Sequence, residues 1–296
     1  MRGGWVLLGD KKRVCIGFVG AGKAGVSLGA YFRSKGLEIS GYLSRSRKSA
    51  ISAAELTSSK AFTALSDLVA ASDIIIVSTP DGSIAKVWKE LQKCDIRDRI
   101  VCHLSGSLSS DIFDGIEAKG SIGYSVHPMF AFGGRDGNFE DVEKAFFTIE
   151  GAKERLDEVR EIFLCTGNRT FVIDKKQKHL YHVSNVMVSN LVTALLSLGT
   201  ESFERCGVSG REALEALLPL IKGNIENIAK RGFPGSLTGP VERNDTDTIM
   251  KHLDVLGEEE RQIYSLLSKK LAELSKIKHP GRDQSKLLEL LEKYNL

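Results

Sequence analysis

The sequence of 296 residues predicts an α/β domain, a mostly parallel sheet with helices on both faces, followed by an all-α domain. Three observations predict it. Short apolar runs alternate with helix-patterned segments over residues 13–174, the pattern of parallel strands joined by crossover helices. From residue 175 onward the periodicity is helical only. Between the first apolar run and the first helical segment stands Gly20-Ala-Gly-Lys-Ala-Gly25, whose glycine spacing has a physical reading in that context.

Residues 13–19 are apolar enough for a buried strand, residues 23–35 have helical spacing and stop at Gly36, and residues 37–43 read as a second strand. In that order, Gly20 permits a tight turn, Gly22 leaves room for backbone to approach a pyrophosphate, and Gly25 lets helix and strand pack closely. The helix start offers free N–H groups and a positive dipole end to the phosphates. A lone glycine pattern in a chain with 29 glycines would mean little, but strand, turn, helix and second strand together predict a Rossmann-type dinucleotide site. Ala21, Lys23 and Ala24 belong to the same turn and line it with the glycines.

Further elements follow in turn. Residues 48–56 read as a helix, 61–64 as a short strand and 65–71 as a brief helix. Residues 73–78 form an apolar strand stopped by Thr79-Pro80-Asp81-Gly82, and 84–91 resume a helical pattern. Residues 99–104 are a strand ending in Ser105-Gly106-Ser107, and 121–126 one ending at His127-Pro128. Residues 146–150 and 168–173 read as two edge strands. Ligands of such sheets lie beyond the carboxyl ends of the strands. Thr79, Pro80, Asp81, Ser105 and Gly106 are therefore expected around the cofactor, with His127 facing the substrate.

The end of the second strand selects the dinucleotide. NAD sites place an acid there to accept hydrogen bonds from the ribose. This chain has Ser44-Arg45-Ser46-Arg47, and residues 40–54 contain no acid. A carboxylate would repel a 2′-phosphate, whereas an Arg fork and serine hydroxyls can grip it. The expected cofactor is NADP, held there by Ser44, Arg45 and Ser46. A merely solvated basic loop would leave an NAD-linked enzyme.

Composition sets the outer bounds. A charged content of 27% and a hydrophobic content of 42% suit a soluble globular chain, and the net charge of +3 shows no nucleic-acid bias. Five cysteines without paired spacing suit a reducing cytoplasm, with no disulfide framework and no metal site. Residues 1–12 read as a loose extension without a signal-peptide core, and no later run is expected to approach a membrane span.

Beyond a boundary near Asp174, residues 175–206, 211–230, 246–277 and 284–294 read as helices, with 232–244 the one long irregular stretch. The first of these is strongly apolar, yet Lys178, His182, Asn185 and Ser189 interrupt it at spacings of four, three and four. At the helical 100° per residue they share a stripe about 60° wide, with Asn190 about 80° round from His182. Unpartnered buried polar groups cost about 1–3 kcal/mol each. Such a stripe is internally paired, wet or ligand-facing, and beside a dinucleotide domain the expectation is a substrate-facing one.

The glycine turn, Ser44-Arg-Ser46, His127-Pro128, Lys178…Tyr181-His182…Ser189-Asn190 and Leu237-Thr-Gly-Pro-Val-Glu-Arg-Asn-Asp245 resemble one family over residues 13–275. It is the Rossmann-like oxidoreductase family whose helical second domain is catalogued as a domain of unknown function. More distantly the layout is similar to pyrroline-5-carboxylate, ketopantoate and prephenate enzymes, several of which bind a substrate oxygen with a Lys and an Asn one helical turn apart. Here His182 takes the place one turn after Lys178, and Asn185 follows at seven residues. The resemblance implies NADP binding and hydride transfer to or from a small carbonyl, hydroxy-acid or imine. Lys178 or His182 would donate the proton, with Asn185 and Ser189 orienting the substrate. Asn190, Arg243 and Asn244 complete the expected substrate set. Relatives commonly pair through the helical domain, and apolar recurrence at Ala213, Leu214, Leu217, Leu218, Ile221 and Ile225 also predicts a homodimer. A rival reading keeps NADP binding but no turnover, as in a regulatory or scaffold protein.

Overall fold

The computed structural model describes residues 7–8, 12–133 and 139–294. The chain forms two compact units, residues 1–188 and 189–296. The dividing point falls after the helix carrying Lys178, where the sequence suggested Asp174. Most of the expected extension at residues 1–12 lies outside the described residues. Its described part pairs β1 (Leu7–Leu8) antiparallel with β2 (Lys12–Arg13).

The first unit runs β3 (Cys15–Val19), α1 (Lys23–Ser34), β4 (Glu38–Leu43), α2 (Arg47–Leu56), β5 (Lys60–Ala61), α3 (Leu65–Ala70), β6 (Ile74–Val77), α4 (Asp81–Leu91), β7 (Ile100–His103), β8 (Ile122–Met129), β9 (Phe146–Gly151), α5 (Leu156–Cys165), β10 (Arg169–Val172) and α6 (Lys178–Val188). The main sheet has eight strands in the order β10-β9-β8-β7-β6-β3-β4-β5. Neighbours pair parallel except β8 with β9. The chain leaves β3 for β4 on one side and later returns to β6 on the other, so a crevice opens at the carboxyl ends of β3 and β6.

Alternation along the strands divides the core in two. Ile16, Phe18, Ile74 and Ile76 pack on one face with Leu28, Tyr31 and Phe32 of α1 and Phe163 of α5. Val19, Ile75, Val77 and Val101 pack on the other with Ile84, Trp88 and Leu91 of α4. Both faces of the central strands are dry, which is why they read as continuous apolar runs.

Two expectations for this unit change. β8 continues through Met129, so His127 and Pro128 lie within the strand, paired with Thr148 and Phe147, and not in a turn beyond it. β9 lies between β8 and β10, so of the two strands expected at an edge β10 is one and β9 is not.

The second unit holds α7 (Asn190–Glu204), α8 (Gly210–Ser236), α9 (Pro240–Arg243), α10 (Thr246–Val255), α11 (Glu258–Lys278) and α12 (Ser285–Glu292). Val241, Ile249, Leu253, Ala272, Leu287 and Leu291 form its core. The helix expected over 175–206 is broken at Ser189 (φ −123°, ψ −79°). There Ser189 and Asn190 hydrogen-bond each other, and the Ser189 carbonyl starts α7. The helix expected over 246–277 is broken at Leu256–Gly257, because Glu260 folds back to accept from the Gly257 N–H and starts a new helix. The stretch 232–244 is not irregular. α8 kinks at Gly232 (φ +69°), and Gly239 turns the chain into α9, with Pro240 at the first helical position. Finally, Lys175–Glu204 is long and apolar enough, by length and composition, to cross a membrane, which corrects the expectation that no run approaches that size.

Candidate active site

The glycine turn has the geometry its spacing implies. Gly20 sits at φ +118°, and a Cβ there would lie 2.9 Å from the Ser78 carbonyl. Gly25 meets Ser78 more closely still, since its Cβ would lie 2.3 Å from Ser78 Oγ. Gly22 is the open one: the nearest atom to its Cβ position is Ser78 O at 4.0 Å. No side chain caps α1 at Gly22, which leaves the first-turn N–H groups facing that space. Ala21 is buried in the core, Lys23 donates from Nζ to the Gly133 carbonyl, and Thr79 Oγ1 is buried without a partner at the end of β6. An open glycine before an uncapped helix start, beside an orphaned hydroxyl, fits a pyrophosphate and the groups attached to it.

At the end of β4, Ser44 is half-buried, and the residues after it differ from one another. Ser46 caps α2, accepting from the Ser49 N–H at 3.2 Å, and Arg47 is tied to the Ala61 and Phe62 carbonyls. Arg45 is exposed and has no partner among the described residues, which leaves its guanidinium available to an anion.

At the other end of the crevice, Asp81 opens α4 and accepts from Ser105 Oγ at 2.7 Å and Ser107 Oγ at 2.8 Å. Ser105 and Gly106 thus stand directly after β7, pinned to the start of α4. Gly106 is the narrow point. A Cβ on it would lie 2.9 Å from both His127 Nε2 and His182 Nδ1. His127 Nδ1 lies 2.6 Å from the Tyr181 hydroxyl. A proton donated by Tyr181 selects the tautomer with N–H on Nε2, the nitrogen beside Gly106. Burial, helped by the nearby Lys178 charge, pushes His127 down to about 4, so its ring is neutral at physiological pH. His182 Nδ1 is buried without a partner.

Lys178, although it opens its helix, is only 1% exposed. Its Nζ donates to Ser125 Oγ at 2.5 Å, and Ser125 passes a hydrogen bond to the Ser105 carbonyl. Burial pulls the ammonium down to about 8 against the attraction of Glu150 and Asp81. Asn185 Nδ2 donates to the Tyr181 carbonyl of its own helix.

The sequence reasoning missed His103, Ser125 and Glu150. They are paired neighbours on adjacent strands: His103 opposite Ser125, and Ser125 opposite Glu150. All three are buried, at 0%, 0% and 2% exposure. For His103 and Ser125 the available signal was polarity near the carboxyl ends of apolar runs, where this sheet type builds its sites. Glu150 gave no such signal, because β9 runs antiparallel to β8 and only register places it there.

The remaining expected substrate residues belong to the second unit. Ser189 and Asn190 form the break before α7. Asn244, in left-handed backbone at φ +61°, donates to the Asp283 carbonyl, and Arg243 lies 4.0 Å from Asp245. Asp245 itself caps α10 through Thr248, so part of the Thr238–Asp245 run is turn and cap structure.

Comparison with known proteins agrees with this architecture. A Rossmann-like domain matches residues 9–128, and the domain of unknown function DUF2520 matches residues 145–271. Among solved structures, protein TM1727 from Thermotoga maritima is 30% identical, with 95% of this chain and 100% of that chain covered and a TM-score of 0.64. BF3122 from Bacteroides fragilis, assigned as an NADP oxidoreductase, is 22% identical, with 88% and 98% covered and a TM-score of 0.68. A reductive aminase from Aspergillus terreus, solved with NADPH and ethyl-5-oxohexanoate, is 14% identical, with 95% and 93% covered and a TM-score of 0.61. At such identities the last two show the fold alone. No protein of curated function matches the chain.

Proposed function

Since the chain belongs to the family that joins a Rossmann-like domain to a DUF2520 domain, we propose that it is an NADP-dependent oxidoreductase acting on a small carbonyl, hydroxy-acid or imine. The observation that carries this reading is a buried, protonatable amine, Lys178, at the carboxyl-end crevice of a sheet whose glycine turn is open to a dinucleotide. Bound NADP(H) supplies or accepts the hydride.

The chain's residues do the rest. Gly20, Gly22 and the α1 N–H groups bind the pyrophosphate, and Arg45, flanked by Ser44 and Ser46, grips the 2′-phosphate. Ser105 and Gly106, fixed by Asp81, shape the floor beside the reacting carbon. His127, neutral and fixed by Tyr181, offers Nε2–H to a substrate oxygen or nitrogen. Lys178 Nζ holds the proton that the substrate takes up. With a value near 8 it is charged at neutral pH yet releases its proton more readily than an exposed lysine. His182, through its unpaired Nδ1, adds a second contact, and Asn185 steadies α6 beneath them. Ser189, Asn190, Arg243 and Asn244, which the sequence also assigned to the substrate, belong to the second unit. The assembly is a homodimer through the helical surface.

The test is spectroscopic. A panel of oxoacids, imines and aldehydes is mixed with NADPH, and the near-ultraviolet band of the reduced nicotinamide is followed. Turnover with at least one member, and a larger thermal shift with NADPH than with NADH, is the expected result. NADPH binding without turnover across the panel would favour a regulatory protein, and equal shifts would favour an NAD-linked enzyme.

A further inference from the structure

Glu150 has no place in the mechanism just described, yet among the described residues it is the most buried carboxylate of the first unit, 2% exposed at the end of β9. It accepts from the Ser110 N–H at 2.8 Å and from Ser110 Oγ at 2.7 Å. Those bonds satisfy part of its hydrogen-bonding capacity but leave its charge uncompensated, because Ser110 is neutral. A buried carboxylate without a counter-charge is costly. Strand register shows where the counter-charge lies. Ser125 is Glu150's directly opposed partner on β8, and opposed residues project to the same face with Cβ atoms about 5 Å apart. Ser125 is also the hydroxyl that receives Lys178 Nζ at 2.5 Å. Thus an ammonium and a carboxylate, both at least 98% buried by the exposures of 1% and 2%, are brought beside one another by a single pair of strand residues.

We propose that Glu150 is the counter-charge of Lys178, a positioning residue that keeps the ammonium protonated and held against Ser125 in the dry floor of the site. The two groups share no direct hydrogen bond: Glu150 is fixed through Ser110 and Lys178 through Ser125. That arrangement lets the carboxylate favour the charge on Nζ without taking its remaining protons, which stay available to a substrate. Every element around Lys178 contributes a group to this balance. Asp81 at the start of α4 adds a second negative charge, while His103 on β7 and His127 on β8 are held near 4 and stay neutral at physiological pH. On α6 itself, the Tyr181 ring lies 5.4 Å from Nζ, and His182 follows one turn on. Glu150 is the largest attraction in the set and opposes the burial that drives Lys178 towards neutrality.

The inference rests on the assignment of Lys178 to the proton step, but its test needs no substrate. Protein carrying 13C-labelled lysine is titrated by NMR, and the Lys178 Cε resonance is identified by its loss in Lys178→Arg. Glu150→Gln, which keeps the shape and removes the charge, is expected to lower the Lys178 midpoint by about one pH unit or more, the scale of an adjacent opposite charge. Glu150→Asp, which keeps the charge, and Ser110→Ala, which removes only the anchoring hydroxyl, are expected to leave it within a few tenths of a unit. An unmoved midpoint in Glu150→Gln, or an equal movement in Ser110→Ala, overturns the proposal. Should Glu150→Gln fail to fold, Glu150→Gln/Lys178→Met decides. Removing both charges restores folding if each compensates the other, and a double variant that also fails shows Glu150 to be only an anchor for Ser110. Absence of NADPH turnover would leave this result standing, and a negative titration would leave the oxidoreductase reading standing.

Discussion

His103 shows how far single residues of this site are removed from water. It is fully buried, with Nε2 3.1 Å from the Ser109 carbonyl and Nδ1 accepting from the Ser105 N–H, and burial holds it near 4. The unfolded chain binds a proton there near 6.5, whereas the folded one stays neutral until about 4. Unfolding therefore takes up a proton in that window, and stability falls as pH drops from 6.5 to 4. The full loss is roughly 3 kcal/mol for this residue, and His127 adds in the same direction. Urea midpoints at pH 7 and 4.5 should separate more in the wild type than in His103→Gln; equal separations would remove His103 from the account. Two further changes address the ligands. Arg45→Ala should weaken NADPH by about 1.5–3 kcal/mol and barely touch NADH, since only the phosphate offers Arg45 a charged partner. Calorimetry showing equal weakening would place Arg45 outside the phosphate site. Gly106→Ala should fold, because its backbone is ordinary, but its methyl group would press on two imidazole nitrogens. A turnover loss of about 10²-fold with NADPH affinity kept is expected, since displacement near one ångström has that effect; unchanged turnover would mean the two rings do not touch the substrate. The glycine roles were legible in the sequence because they are properties of the backbone, tied to a local strand-turn-helix order. Glu150 was not, because only strand register brings it opposite Ser125.

Between elements, the contact that sets the site is the packing of α1 on β6. Gly25 and Ser78 meet with no room for a methyl group, which draws the helix start close to the strand end and fixes where its N–H groups point. Gly25→Ala should therefore cost about 1–3 kcal/mol, the range for overpacking. The methyl would meet both Oγ and Cβ of Ser78, at 2.3 and 2.9 Å, so Ser78→Gly should restore most of the loss and Ser78→Ala only part. Denaturant midpoints arranged as a double-mutant cycle read this coupling, and additive effects would show that α1 simply shifts as a whole. Element existence was legible throughout, since period and glycine stops are local. What the sequence did not show were two breaks inside continuous helical patterns. At Gly257 the Glu260 carboxylate takes a backbone N–H and starts a new helix, whereas at Ser189 the backbone itself leaves the helical region, with Ser189 Oγ donating to Asn190 Oδ1. The break at Ser189 is the consequential one. It leaves Lys178, His182 and Asn185 on α6, fixed to the sheet unit through Ser125 and Tyr181, and puts Ser189 and Asn190 in the other unit.

On the scale of the molecule, the helical surface is the unfinished part. α7 has 15 residues, none of them buried, and α8 has 27, of which only Ala213 is buried. Leu191, Leu195, Leu220, Ile225 and Phe233 are all more than 40% exposed, as are Leu180, Met187 and Val188 on α6. Residues of this kind scattered singly need no explanation, but here they recur along successive helices, which calls for something to cover them. A lipid bilayer is one chemistry that would cover it, given the length and composition of Lys175–Glu204. Against this, α6 carries the buried Lys178, hydrogen-bonded to Ser125, and Asn185, bonded to its own helix, and the run is broken at Ser189. The occupant proposed above is a second copy of the chain, which would meet an apolar face with the same face through a two-fold axis. Sedimentation of the detergent-free protein at micromolar concentration should therefore give about twice the 32.4 kDa of one chain. Leu195→Glu/Ile225→Glu should shift it towards the monomer, because the buried apolar contact would then enclose unpaired charges. A wild-type mass near one chain, or a protein recovered only with membranes, would sink the idea.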